Sequence, residues 1–197
     1  MLADSLLNVH EESLDGRDAV LEGSNRVVLL DRDGVLNVDR PGSVTDLDEL
    51  EVEAGAAQGA ALLARAGFAL VVVTNQACVG RGALSPPRLD QINRALDEAL
   101  GSRIRAWFVC PHAPEVGCRC RKPGTLLLEQ AHGLLGFDPA ETWFVLDAGR
   151  DIEAARRFGC HPALVRTGKG RATEADYPDV PVWDDLLAFA RWLTSMR

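Results

Sequence analysis

The stretch that most constrains this chain is Val27-Val28-Leu29-Leu30 followed at once by Asp31-Arg32-Asp33-Gly34-Val35-Leu36-Asn37. Four apolar residues in a row predict a short buried strand. Alternate residues of an extended chain point the same way, so Asp31 and Asp33 project toward one spot at the strand's carboxyl end. Gly34 lets the backbone turn sharply and pass close to a bound group. Two carboxylates held together repel, and a divalent cation relieves that repulsion. The arrangement suits Mg²⁺, with one aspartate free to attack and the other to carry a proton.

Further apolar runs predict strands over Phe68–Val73, Ile104–Val109, Trp143–Leu146 and Ala163–Val165. Between them, helical spacing and end signals predict helices over Ala54–Ala66 (stopped by Gly67), Pro86–Leu100 (Ser85 as N-cap), Thr125–Leu135 (Gly136) and Ile152–Phe158 (Gly159). An amphipathic helix over Trp183–Met196 closes the chain. Strands alternating with helices imply an α/β fold, a three-layer Rossmann-like parallel sheet of about five strands with helices on both faces. Ligands in such sheets bind beyond the carboxyl ends of the strands. The loop Arg40–Val44 is too short for a cap domain. Met1–Asn25 reads as a loosely attached extension, with a turn of helix around Leu2–Leu7, ahead of one domain spanning residues 26–197.

The net charge of −8 over 197 residues argues against nucleic acid or an anionic membrane as a partner. An anionic small substrate then requires locally placed cations. No apolar run approaches the ~20 residues of a membrane span, and the acidic, polar start lacks a signal pattern. A cytoplasmic monomer is expected. The five cysteines form an odd set, which argues against a disulfide framework.

Cys110, His112, Cys118 and Cys120 fall within one short segment as Cys-X-His and Cys-X-Cys. Three sulfurs and an imidazole make a closed tetrahedral set for Zn²⁺, with no position left for a substrate, so the expected role is structural. Arg121-Lys122 follows directly, and the zinc loop would fix the position of these cations. At the end of the second strand stand Thr74-Asn75-Gln76, where a hydroxyl and an amide can donate hydrogen bonds to phosphate. Cys78–Gly82 reads as a flexible loop carrying one cation, Arg81. Cys78 has no neighbouring histidine in sequence to activate it. Asp147-Ala148-Gly149-Arg150-Asp151 closes the fourth strand.

In this order the motifs resemble those of the haloacid-dehalogenase-like phosphohydrolases, and within them the capless histidinol-phosphatase-like subfamily. The resemblance runs from Val27 to about Gly170. It implies Asp31 as nucleophile, Asp33 as general acid/base, and Thr74 and Lys122 as holders of the transferring phosphoryl group. It implies Mg²⁺ on the Asp31 carboxylate, the Asp33 backbone carbonyl and Asp147, with Asp151 as supporting acid. Asn75, Arg81 and Arg121 are the expected substrate-binding residues. Two departures stand out: Leu146 replaces the glycine that usually precedes the motif's aspartate, and Arg40–Val44 departs from the Gly-Tyr-Val-His stretch of one branch. The expected activity is Mg²⁺-dependent hydrolysis of a small phosphorylated metabolite, a sugar bisphosphate, because a second phosphate asks for forked cations such as Arg81 and Arg121. The alternatives are a histidinol-phosphate phosphatase, or a catalytically silent phospholigand-binding or interaction module on the same fold.

Overall fold

A computed structural model describes residues 6–8 and 26–196. The strands are β1 (Leu6–Asn8), β2 (Val27–Leu30), β3 (Ala69–Asn75), β4 (Ile104–Cys110), β5 (Trp143–Leu146), β6 (His161–Val165) and β7 (Val182–Trp183). The helices are α1 (Ala56–Arg65), α2 (Ala77–Gly80), α3 (Pro86–Ala99), α4 (Leu126–Leu135), α5 (Gly149–Phe158), α6 (Gly170–Asp176) and α7 (Leu186–Ser195). All seven strands join one sheet in the order β1-β4-β3-β2-β5-β6-β7. Every neighbouring pair is parallel except β1 on β4.

The central strands are apolar throughout because both faces of the sheet are covered. Val28, Leu30, Val72, Trp107 and Val145 point into one core beneath α1, α3 and α7. Val27, Leu29, Val73, Phe108, Phe144 and Leu146 point into the other, beneath α4 and α5. Leu146 is therefore an ordinary core residue, fully buried and paired in register with Leu164. The strand order reverses between β2 and β5, which are hydrogen-bonded neighbours. Such a reversal splays the loops apart and opens a crevice at the carboxyl ends. Asp31 ends β2 and Asp147 ends β5, so the two flank that crevice.

The five expected strands are all present, and two edge strands join them. Leu6–Asn8 is extended and pairs antiparallel with β4, so Leu6 and Leu7 are not helical; the rest of the expected Leu2–Leu7 turn lies outside the described residues. Trp183 is also not helical. Val182–Trp183 pairs with Leu164–Val165, and Asp185 caps α7 by accepting a 2.7 Å bond from the Ala188 N–H. Trp183 is in line with the apolar pattern of the helix that follows, but it packs edge-on against Trp143 and Phe189 from the strand. The expected flexible loop at Cys78–Gly82 begins inside α2, whose end is tied to the cysteine-rich loop by the Gly80 N–H to Pro111 oxygen bond of 2.7 Å. A Cβ on Gly80 would lie 2.6 Å from the Ala113 nitrogen, so the approach requires glycine.

Candidate active site

Asp31 sits at the end of β2, almost fully buried. Its backbone N–H continues the ladder to Val145, and its Oδ1 accepts from the Arg32 N–H at 2.8 Å. The Lys122 ammonium lies 2.9 Å from Asp31 Oδ1 and 2.9 Å from Asp151 Oδ1, and donates to the Val73 carbonyl at 2.8 Å. Lys122 reaches this spot because Asn75 clamps its backbone from both sides: Asn75 Nδ2 donates to the Lys122 oxygen at 3.1 Å, and the Lys122 N–H donates to Asn75 Oδ1 at 3.0 Å. Burial would lower the lysine's pKa, but Asp151 and Asp31 outweigh it and hold the ammonium charged.

Carboxylate oxygens of Asp31, Asp147 and Asp151 all lie within 4.8 Å of one another. Burial pushes the Asp31 carboxyl up to about 7, against the pull of Lys122, and pushes Asp147 up to about 6. Asp147 is held on one side only. Its Oδ2 accepts from the Lys169 N–H at 2.8 Å, and its backbone oxygen accepts from Thr173 Oγ1 at 2.8 Å. Its Oδ1 is buried and has no hydrogen-bond partner among the described residues. Gly34 and Gly168 close over this carboxylate. A Cβ on either would fall 2.2 Å or 2.3 Å from Asp147 Oδ2, and both have positive φ, +84° and +55°. Buried carboxylates that repel and one orphaned oxygen fit a hard divalent cation such as Mg²⁺.

Asp33 is held differently. Its carboxylate receives Arg32 at 2.9 and 3.2 Å, Asn37 Nδ2 at 2.9 Å and Gln76 Nε2 at 2.7 Å. Burial alone would raise its pKa. Arg32's charge and the hydrogen bonds from Arg32, Asn37 and Gln76 outweigh that and hold it below the ordinary aspartate range. Gln76 also donates to Thr74 Oγ1 at 2.9 Å, which links the ends of β2 and β3.

In the cysteine-rich loop, the Cys110, Cys118 and Cys120 sulfurs are 3.4–3.6 Å apart. His112 Nδ1 lies 3.2 Å from Cys120 and 3.7 Å from Cys110. All three thiols are free. These separations approach the edges of a zinc tetrahedron, roughly 3.8 Å for Zn–S bonds of about 2.3 Å. The sulfur and imidazole donors fit zinc, and among the described residues no carboxylate joins the cluster.

A family model described as "HAD-hyrolase-like" matches residues 119–189. The D-glycero-beta-D-manno-heptose-1,7-bisphosphate 7-phosphatase of Pseudomonas aeruginosa is 37% identical over 172 residues, covering 85% of this chain and 97% of that protein. Its Pseudomonas putida counterpart is 38% identical, covering 85% and 99%. The crystal structure of a D,D-heptose 1,7-bisphosphate phosphatase from B. bronchiseptica, complexed with magnesium and phosphate, superposes with a TM-score of 0.84 at 35% identity, over 87% of this chain and 99% of that one. The chain belongs to the haloacid-dehalogenase-like phosphatases.

For a phosphatase of this family the fold leaves the site open, since only a short 3₁₀ turn at Leu47–Glu49 and the loop around Gly42 separate β2 from α1. A cavity of about 480 Å³ lies above the strand ends, with Asp33 and Asn75 in its wall and Arg81, Arg121, Arg150 and Lys169 around it. The structure thus brings Asp31, Lys122, Asp147 and Asp151 into one cluster and sets Arg81 and Arg121 at the same cavity. Asn75, an expected substrate contact, lies in the cavity wall, and its side-chain amide also ties the Lys122 backbone. Arg32, Asn37, Gln76, Gly168 and Lys169 were not singled out from sequence. Arg32, Asn37 and Gln76 lie inside the sequence motifs, and Thr167-Gly168-Lys169-Gly170 follows a strand end; the bonds Arg32–Asn93, Gln76–Asp33 and Lys169–Asp147 join residues distant in sequence and leave no local signal.

Proposed function

We propose that this phosphatase removes one phosphate from a sugar bisphosphate of the D-glycero-D-manno-heptose 1,7-bisphosphate kind. The observation that carries the reading is the Lys122 ammonium bridging Asp31 and Asp151 beside the unpartnered oxygen of Asp147. In the first step a carboxylate oxygen of Asp31 attacks phosphorus in line, the bond to the sugar oxygen breaks, and Asp33 gives that oxygen a proton. In the second step Asp33 takes a proton from water, which attacks the aspartyl phosphate and frees Asp31. Lys122 and Thr74 hold the transferring group. Asp31, the Asp33 backbone carbonyl and Asp147 would hold Mg²⁺, with Asp151 fixing Lys122. The cation, when bound, neutralises charge on the phosphoryl oxygens and the nucleophile. Cys110, His112, Cys118 and Cys120 would hold a structural Zn²⁺ that braces the segment leading to Arg121 and Lys122.

The substrate reading rests on cations outside the acidic cluster. Arg81 and Arg121 supply the forked donors a second phosphate requires, and Arg150 and Lys169 enrich the same rim. Histidinol phosphate would present cationic or imidazole groups to that basic rim. The silent-module reading requires a missing side chain, and none of Asp31, Asp33, Thr74, Lys122 or Asp147 is missing. The −8 charge argues against nucleic acid or an anionic membrane as partner, and we take the protein to act as a cytoplasmic monomer on small metabolites; no described helix is long and apolar enough to cross a membrane. Phosphate release from heptose 1,7-bisphosphate with Mg²⁺, abolished by EDTA, is the expected result. Faster turnover of histidinol phosphate would move the protein to the other branch, and no release from any phosphorylated metabolite would favour the silent module.

A further inference from the structure

Arg32 separates the two aspartates of the first motif and is completely buried. An arginine shut off from water costs several kcal/mol unless its charge and N–H groups are matched. An apolar side chain would fill the same space without that cost. The guanidinium is matched on one side by the Asp33 carboxylate, at 2.9 and 3.2 Å, and on another by Asn93 Oδ1 at 3.1 Å, while its Nε has no partner among the described residues. Asn93 is itself buried, on the inner face of α3. The contact is lopsided in one further way: the Arg32 side chain is 0% exposed, whereas Asp33 keeps 17% of its side chain open, and Asp33 lines the cavity.

We propose that Arg32, braced by Asn93 on α3, is a positioning residue that holds the Asp33 carboxyl at the cavity wall, where it meets the leaving oxygen. The inference rests on the phosphatase reading and deepens it. In the first step the P–O bond to the leaving group breaks as the Asp31–P bond forms, and the proton passes from Asp33 to the departing oxygen. A sugar alkoxide needs that proton. A p-nitrophenolate leaves readily without it. Arg32 also favours the ionised form of Asp33, so the clamp aids proton delivery through position and not through acidity; its loss, by misplacing the carboxyl, falls on alkyl esters and spares aryl esters.

The test compares kcat/KM, which stops counting once the leaving group has departed, for heptose 1,7-bisphosphate and for p-nitrophenyl phosphate. Arg32→Met should lower the sugar phosphate value at least about tenfold more than the aryl value, mainly through kcat. Arg32→Lys, which can still donate to Asp33, should recover part of the difference. Asn93→Ala should show the same bias at about threefold, and it decides the matter if Arg32→Met does not fold. Equal losses on both substrates in an active, folded variant overturn the inference alone. A parent protein that releases no phosphate overturns the phosphatase reading and this inference with it.

Discussion

The cysteine-rich loop and the aspartate cluster are both candidate metal centres, and they are assembled on opposite terms. Cys110, His112, Cys118 and Cys120 come from one short segment and bring three sulfurs, 3.4–3.6 Å apart, and an imidazole nitrogen within 4.8 Å of one another. Asp31, Asp147 and Asp151 come from two strand ends and a helix, bring hard oxygens within 4.8 Å, and share their space with a lysine. A closed soft shell retains its ion and gives rigidity; an open hard one exchanges its ion and leaves room for phosphate. The loop's rigidity reaches the acidic cluster through Arg121 and Lys122, which follow its last ligand, and through α2, which is tied to Pro111.

The sharpest way to separate the centres is to disable each in turn. Asp31→Asn should abolish phosphate release, by more than ~10³-fold, while the circular dichroism spectrum and zinc content stay unchanged; near-normal turnover would remove the nucleophile assignment. Dialysis against EDTA should likewise abolish activity, and Mg²⁺ should restore it at once. Metal analysis of protein dialysed free of Mg²⁺ in buffer without chelator should still find about one zinc per chain, because a closed Cys₃His site holds its ion; active protein without zinc would dissolve the comparison. Cys118→Ser should act on stability first, costing about 3 kcal/mol and lowering Tm by roughly 6–12 °C, with activity falling through Arg121 and Lys122.

Smaller effects test the acidic centre's shape. Gly168→Ala would place a Cβ 2.3 Å from Asp147 Oδ2, so about tenfold more Mg²⁺ should be needed for half-maximal Mg²⁺ binding by calorimetry, a shift in affinity of about 1.4 kcal/mol. The metal-free protein should also respond to pH. Burial raises Asp31 to about 7 and Asp147 to about 6, so the folded state holds their protons more tightly than the unfolded chain does. That contribution is full below about pH 4 and is lost as pH rises through 6 to 7. Thermal melts of EDTA-treated protein should show this decline, and saturating Mg²⁺ should reverse it, since the cation favours the ionised carboxylates.

Much of this was legible before any coordinates. The apolar runs of β2 to β6 announced a doubly covered parallel sheet, because only burial on both faces permits unbroken Val/Leu strands. The zinc set was legible because its spacing is short enough to act without help from the rest of the fold. The misplacement of Trp183 and of the Leu6–Leu7 segment has a common cause. Short edge strands take their extended form from the neighbour they pair with, β6 in one case and β4 in the other, and carry little pattern of their own.

The sequence by itself determined which residues share a strand end or a loop: Asp31 with Asp33, Thr74 with Gln76, Cys110 with His112. Those relations depend on a two-residue period and on short loops, which the local chain enforces. Only the tertiary structure decided that β2 and β5 lie side by side, so that Gly34, Asp147 and Gly168 meet, that Lys122 lies between Asp31 and Asp151, and that Asn75 ties the lysine backbone. The order of strands in a parallel sheet is set by which helices can cover which faces, a condition on the whole core that no segment carries alone.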